Sequence, residues 1–231
     1  MSLLTYSQFE DQVLLVTDTM VVGGNDDRPA GFRSKVWPLP HMNMVVAMTG
    51  TAEIGDIWCN HILSAGATNI EELNEIASSS LQRIQAEVEA HYGPAGTSTI
   101  YHFGFPPGAD QLVRYTYRSK NDYSPEAYSG YQYLVKPAPP KFKLKQPDSL
   151  ADIIGLAEHL KLTMRLDSDA AMIGGELFVT QVKNWAQQTY RIHRFDDYED
   201  TLATMREAHE PDNSGHPAPL IPRDETAPIS S

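Results

Sequence analysis

Gln12-Val13-Leu14-Leu15-Val16-Thr17-Asp18-Thr19 is the stretch on which the fold of this chain turns. Its uninterrupted apolar run, bounded by polar and turn-forming residues, describes a strand buried on both faces. A carboxylate at the end of such a strand must face a cleft, a partner or water, because burying it unpaired is costly. Lys35, in Ser34-Lys35-Val36-Trp37, is the only lysine among the first hundred residues and opens the next strand-like stretch. Ser2 lies at the other end of the segment. Function depends on whether Ser2, Asp18 and Lys35 meet.

Working outward, Leu3-Leu4-Thr5-Tyr6 reads as a short strand that turns at 8–12 into the strand carrying Asp18. Residues 23–31 are a loop by composition. They lack the lysine-serine ending of a phosphate loop and carry two aspartates. Residues 34–39 are extended, and Pro38 assigns them to a sheet edge or strand end. Met44-Val45-Val46-Ala47-Met48 is another apolar strand, running into Thr49-Gly50-Thr51-Ala52-Glu53. There the period changes. Ile54, Ile57, Trp58, Ile62 and Ala65 share one helical face, with Thr51 as N-cap. Thr68-Asn69-Ile70-Glu71 has the form of a capping box and starts a long amphipathic helix that His91-Tyr92-Gly93-Pro94 stops.

Residues 99–105 and 112–118 form a strand pair across a proline-glycine turn. Residues 119–148 are the least legible. Asp148 is expected to cap a third helix with an apolar stripe of Leu150, Ile153, Ile154, Ala157, Leu160 and Met164. Strands at 176–182 and 190–195 follow. The pattern predicts a folded domain over 1–200 and a polar, disordered tail over 201–231. Two antiparallel sheets packed together and covered by helices would use every amphipathic face, which makes the class α+β.

The whole chain has 231 residues, 41% of them hydrophobic, and a net charge of -12. This suits one core with appendages and argues against nucleic acid as a partner. One cysteine, Cys59, excludes internal disulfides and forms no zinc pattern; it reads as a core residue. The histidines show no ligand spacing. With no apolar run long enough to span a membrane and no signal peptide, the expected setting is a reducing cytoplasm.

These residues resemble the proteasome β-subunit branch of the N-terminal-nucleophile (Ntn) hydrolases, including the bacterial two-component heat-shock protease and the ancestral-β proteins. The resemblance runs from Ser2 to about Glu89 and resumes near Gly174. It rests on Val16-Thr17-Asp18 ending the second strand, on Ser34-Lys35-Val36, and on Met48-Thr49-Gly50-Thr51-Ala52-Glu53 leading into the first helix. It implies a four-layer αββα sandwich and a nucleophile at Ser2, exposed when Met1 is removed. The α-amine of Ser2 would act as base, near pH 7.7–8.0. Lys35 would favour the ionised hydroxyl, Asp18 would orient Lys35, and the amide of Thr49 or Gly50 would supply the oxyanion donor. Backbone near Val22 and Thr51 would pair with the substrate strand.

The implied function is a peptidase or amidohydrolase cleaving amide bonds in peptide or amide substrates. It needs no metal or cofactor. It would be a homo-oligomer of possible ring form, with or without an ATP-dependent unfoldase, and without nucleic-acid or membrane partners. The alternatives are a catalytically silent proteasome-like subunit with a structural or interaction role and a small-molecule amidase. Departures from the family pattern are the serine in place of threonine, a middle segment in which Tyr128-Ser129-Gly130 is not followed by a helix, and Ala170 and Ile173 where a supporting aspartate and serine are usual. Asp169 stands next to the first of these.

Overall fold

The computed structural model describes residues 3–23, 28–138, 147–164 and 172–209. In chain order the strands and helices are β1 (Leu4–Gln8), β2 (Gln12–Asp18), β3 (Met20–Val22), β4 (Pro29–Phe32), β5 (Val36–Leu39), β6 (Met44–Thr49), α1 (Ala52–Ser64), α2 (Ile70–Tyr92), β7 (Thr99–Gly104), β8 (Val113–Arg118), β9 (Glu126–Ser129), β10 (Gln132–Lys136), α3 (Leu150–Met164), β11 (Glu176–Lys183), β12 (Ala186–Arg194) and α4 (Tyr198–His209).

Strand β6 shows how the layers arise. All of its residues are buried, and successive side chains point to opposite faces. Met44, Val46 and Met48 pack with Trp58 of α1 and Leu73, Leu81 and Ile84 of α2. Val45 and Ala47 pack the other way, with Leu4, Tyr6 and Leu15 of the facing sheet. A third cluster joins Leu3, Val135 and Leu177 to Ala157 and Leu160 of α3. Three apolar interiors between four layers make an α+β αββα sandwich, the class that the sequence pattern predicts and the layer order that the resemblance implies. Each fully buried Leu, Ile, Val or Met contributes about 1.5–3 kcal/mol.

One sheet has the order β10-β1-β2-β11-β12, the other β5-β6-β7-β8-β9, and β3-β4 stand apart as a pair. All the pairings are antiparallel. Pro38 lies on β5, at a sheet edge, where its missing N–H costs nothing. Ser129 ends β9, and after the turn at Gly130 the chain enters β10 alongside β1, so a strand stands where the family pattern has a helix.

Several local expectations shift. Residues 29–31, expected as loop, belong to β4, which pairs with β3 and ends in Phe32, stacked on Tyr198 of α4 at 4.7 Å, a contact distant in sequence. Thr51 is the N-cap of α1 but makes no side-chain cap; its hydroxyl donates instead to the Gly96 carbonyl at 3.3 Å. The capping pattern of α2 is displaced by one residue. Asn69 Oδ1 accepts from the amides of Glu71 and Glu72, while the Glu72 carboxylate accepts from the Thr68 amide. For α3, Ser149 rather than Asp148 accepts the Asp152 amide, and Leu150 is exposed. The boundary at 200 falls inside α4, which runs to His209 because Met205 is buried one helical face along from Tyr198 and Leu202. The rest of the expected tail lies outside the described residues.

Trp58 and His102 form a buried polar pair in the helix–sheet interior, both 0% exposed. Trp58 Nε1 donates to His102 Nε2 at 3.0 Å, which assigns the ring proton to Nδ1. Burial lowers the His102 pKa from 6.5 to about 3. The folded value lies below the unfolded one, so stability held above pH 6.5 is lost as pH falls toward 3, at about 1.4 kcal/mol per pH unit. Urea midpoints measured across that window should fall more steeply for the unaltered protein than for His102→Gln.

Candidate functional site

The site is built where β2 ends. Asp18 is paired in register with Leu177, and its side chain is 0% exposed. Its Oδ1 accepts Lys35 Nζ at 2.5 Å and the Leu3 amide at 2.9 Å; its Oδ2 accepts the Gly174 amide at 3.2 Å. The Leu3 nitrogen is the atom bonded to the carbonyl carbon of Ser2, so Asp18 is tied directly to the start of β1. Lys35 is 4% exposed. Burial is the largest influence on both groups. It raises the Asp18 pKa and lowers that of Lys35, while each partner's charge opposes the shift of the other.

Lys35 borders a cavity of about 510 Å³. Val22 of β3 forms one wall, the Thr49–Thr51 turn a second, and the 92–97 segment after α2 a third. Gly50 has φ +109, and a Cβ there would overlap the Thr97 carbonyl oxygen and lie 2.6 Å from Ser98 Cα. Glycine therefore sets how closely the turn after β6 lies against the segment before β7. Gly50→Ala is expected to lose about 1–3 kcal/mol, read as a lower urea midpoint.

Of the residues expected from sequence, Asp18 and Lys35 are brought into contact, and Thr49, Gly50, Thr51 and Val22 border the same cavity as Lys35. Ser2, Asp169 and Ala170 lie outside the described residues. Ile173 is buried in the cluster under α3. Cys59 is buried, and burial pushes its thiol up to about 12, as befits a core residue.

Sequence reasoning missed four contributors. The Gly174 amide on Asp18 carried only the Gly-Gly pair as a signal. Trp37 and Arg33 line the cavity, and Arg33 is ion-paired with Asp56. Lys136, in register with Leu4, donates to Thr99 Oγ1 at 2.9 Å, and burial together with Arg118 and Lys120 lowers its amine to about 8. Among the described residues no group of three or more His, Cys, Asp or Glu could hold a metal ion, and no helix is long and apolar enough to cross a membrane.

The described residues thus form an αββα sandwich in which a buried lysine–aspartate pair borders a cleft beside a glycine turn. Comparison with solved structures agrees at the level of fold. The chain is similar to Anbu (ancestral beta-subunit) from Yersinia bercovieri, with a TM-score of 0.54 at 14% identity over 89% of this chain and 93% of that one. It is also similar to the Gly-1 mutant of Anbu from Hyphomicrobium sp. strain MC1, with a TM-score of 0.54 at 12% identity over 90% and 96% of the two chains. A further structure of that Hyphomicrobium protein gives 0.53 at 12% identity over 89% and 94%. No family model and no curated protein matches the chain.

Proposed function

We propose that the chain is a proteasome-like amide hydrolase in which Ser2, freed by removal of Met1, attacks a peptide or amide carbonyl to form an acyl-enzyme. The observation that carries the reading is the Asp18 carboxylate, which holds Lys35 Nζ and the amide following Ser2 on one oxygen. A Lys35 cation placed there lowers the cost of ionising a neighbouring hydroxyl and favours the neutral α-amine as base. The turn amides of Thr49 and Gly50 stand beside the cavity as oxyanion donors, and Val22 and Thr51 offer walls for an extended substrate. In this reading the chain works in the cytoplasm as a homo-oligomer, with a ring and an unfoldase as open additions to the same chemistry.

Intact mass and covalent labelling test the reading together. A β-lactone should add one equivalent to a protein lacking Met1, and Ser2→Ala and Lys35→Met should each abolish the adduct. Retained Met1, or an adduct that survives Ser2→Ala, would overturn the assignment. The first of these outcomes favours a silent, structural subunit, a reading that the apolar surroundings of Ile173 also support.

A further inference from the structure

The opposite end of the sandwich carries a second constructed feature. The β11–β12 hairpin turns through Asn184 and Trp185, and Trp185 is 74% exposed. Its φ is +56, a left-handed backbone that is uncommon for a bulky residue. Polar side chains hold it there. Asn43 Oδ1 accepts the Trp185 amide at 2.8 Å, Asn43 Nδ2 donates to Asn184 Oδ1 at 2.8 Å, and Asn184 Nδ2 donates to Asp110 Oδ1 at 2.9 Å. Asn43 is itself buried and left-handed, with φ 52.

The network fixes the Trp185 backbone, and the residue borders a cavity of about 400 Å³ bounded also by Phe105, Pro106 and Pro107. Asp110 lines that cavity and has no ion-pair partner among the described residues. A two-residue hairpin turn calls for a positive φ, but a bulky residue carrying it is strained, and such strain clusters at ligand clamps and switch regions.

The sequence supplies a ligand of matching chemistry. Pro219-Leu220-Ile221-Pro222-Arg223 spaces two prolines three apart and follows them with a cation. A polyproline helix has three residues per turn, which puts both prolines on one edge, and such edges dock on aromatic grooves. We propose that the cavity beside Trp185 binds the Pro219–Arg223 segment of this chain, its prolines against the indole and the Pro106–Pro107 loop and Arg223 on Asp110. The proposal is independent of the hydrolase reading. Pro219 is ten residues past His209, a link of at most about 35 Å. Capture within one molecule and exchange between two copies are the two routes to the same contact.

Hydroxyl-radical footprinting of the full chain, read by peptide mass spectrometry, tests this directly. Trp185 should oxidise several-fold more slowly in the unaltered protein than in the Pro219→Ala/Pro222→Ala and Arg223→Glu variants, with buried Trp58 as internal reference. Asp110→Arg should deprotect Trp185, and combining it with Arg223→Glu should restore protection. Proline-dependent protection that survives dilution places the segment on its own molecule, and protection that fades on dilution places it on a second copy; either supports the contact. Equal rates in the unaltered and proline-substituted proteins overturn it. So does protection that persists without the prolines and is lost on dilution, which would assign the face to another copy's folded body.

Discussion

Lys35→Ala is expected to destabilise the protein by about 3–5 kcal/mol, the range for removing one partner of a buried ion pair. Asp18 would keep its two amide donors, from Leu3 and Gly174, but would lose the cation that pairs with it among the described residues, at a side chain that is itself 0% exposed. The loss should depend on pH. Burial already raises the Asp18 pKa, and Lys35 is the main influence lowering it, so the variant's carboxyl rises further. Its folded value then lies above the unfolded one, and the variant is closest to the unaltered protein in acid. The gap widens as pH climbs through the raised folded value. Asp18→Asn combined with Lys35→Met removes both charges together and should recover much of the stability, because the desolvation cost leaves with the charges. Urea titrations of the three variants at several pH values provide the check. Failure of the double variant to recover stability would mean that packing, rather than charge, dominates at this position.

Trp58→Ala carries the second large effect, about 3–5 kcal/mol. The indole is fully buried between α1 and the sheet, lies within 4° of parallel to the His102 ring, and gives that ring its hydrogen bond edge to edge. Truncation leaves a cavity and removes the donor. Water reaching the imidazole would let it ionise in place, so the acid sensitivity expected of the unaltered protein should also flatten. Thermal unfolding at neutral pH measures the first effect, and the pH dependence of the urea midpoint measures the second. Trp185→Ala is the control. Its side chain is mostly solvent-exposed, so stability should stay within about 0.5 kcal/mol.

What the sequence made legible was local in origin. The Val13–Val16 run, the alternation of β6 and the stripes of α1 and α2 are periodic signals, and they placed Asp18, Lys35 and the Thr49–Thr51 turn in their elements. What escaped was decided by contacts between distant segments. Strand β4 is glycine- and proline-containing and exists through its pairing with β3 and the Phe32–Tyr198 stack. Strands β9 and β10 carry tyrosines and charges because they lie at sheet edges, where no apolar run is needed. Thr51 looked like a cap, but a carbonyl many residues ahead took its hydroxyl. At the candidate site, Gly174 contributes a backbone amide, which leaves no side-chain trace in a sequence. Lys136 matters through its register with Leu4, and pairing of that kind is invisible until the strands are assembled.

Helix α2 leads through residues 93–97 straight into β7, and the carbonyl of Thr97 is what Gly50 leans on. The outermost helix layer is thereby geared to the mouth of the cleft by a link only a few residues long. A contact this close leaves the Thr97 carbonyl no room to move toward the turn, so the spacing between that helix's exit and the cleft is set by backbone against backbone rather than by any side chain.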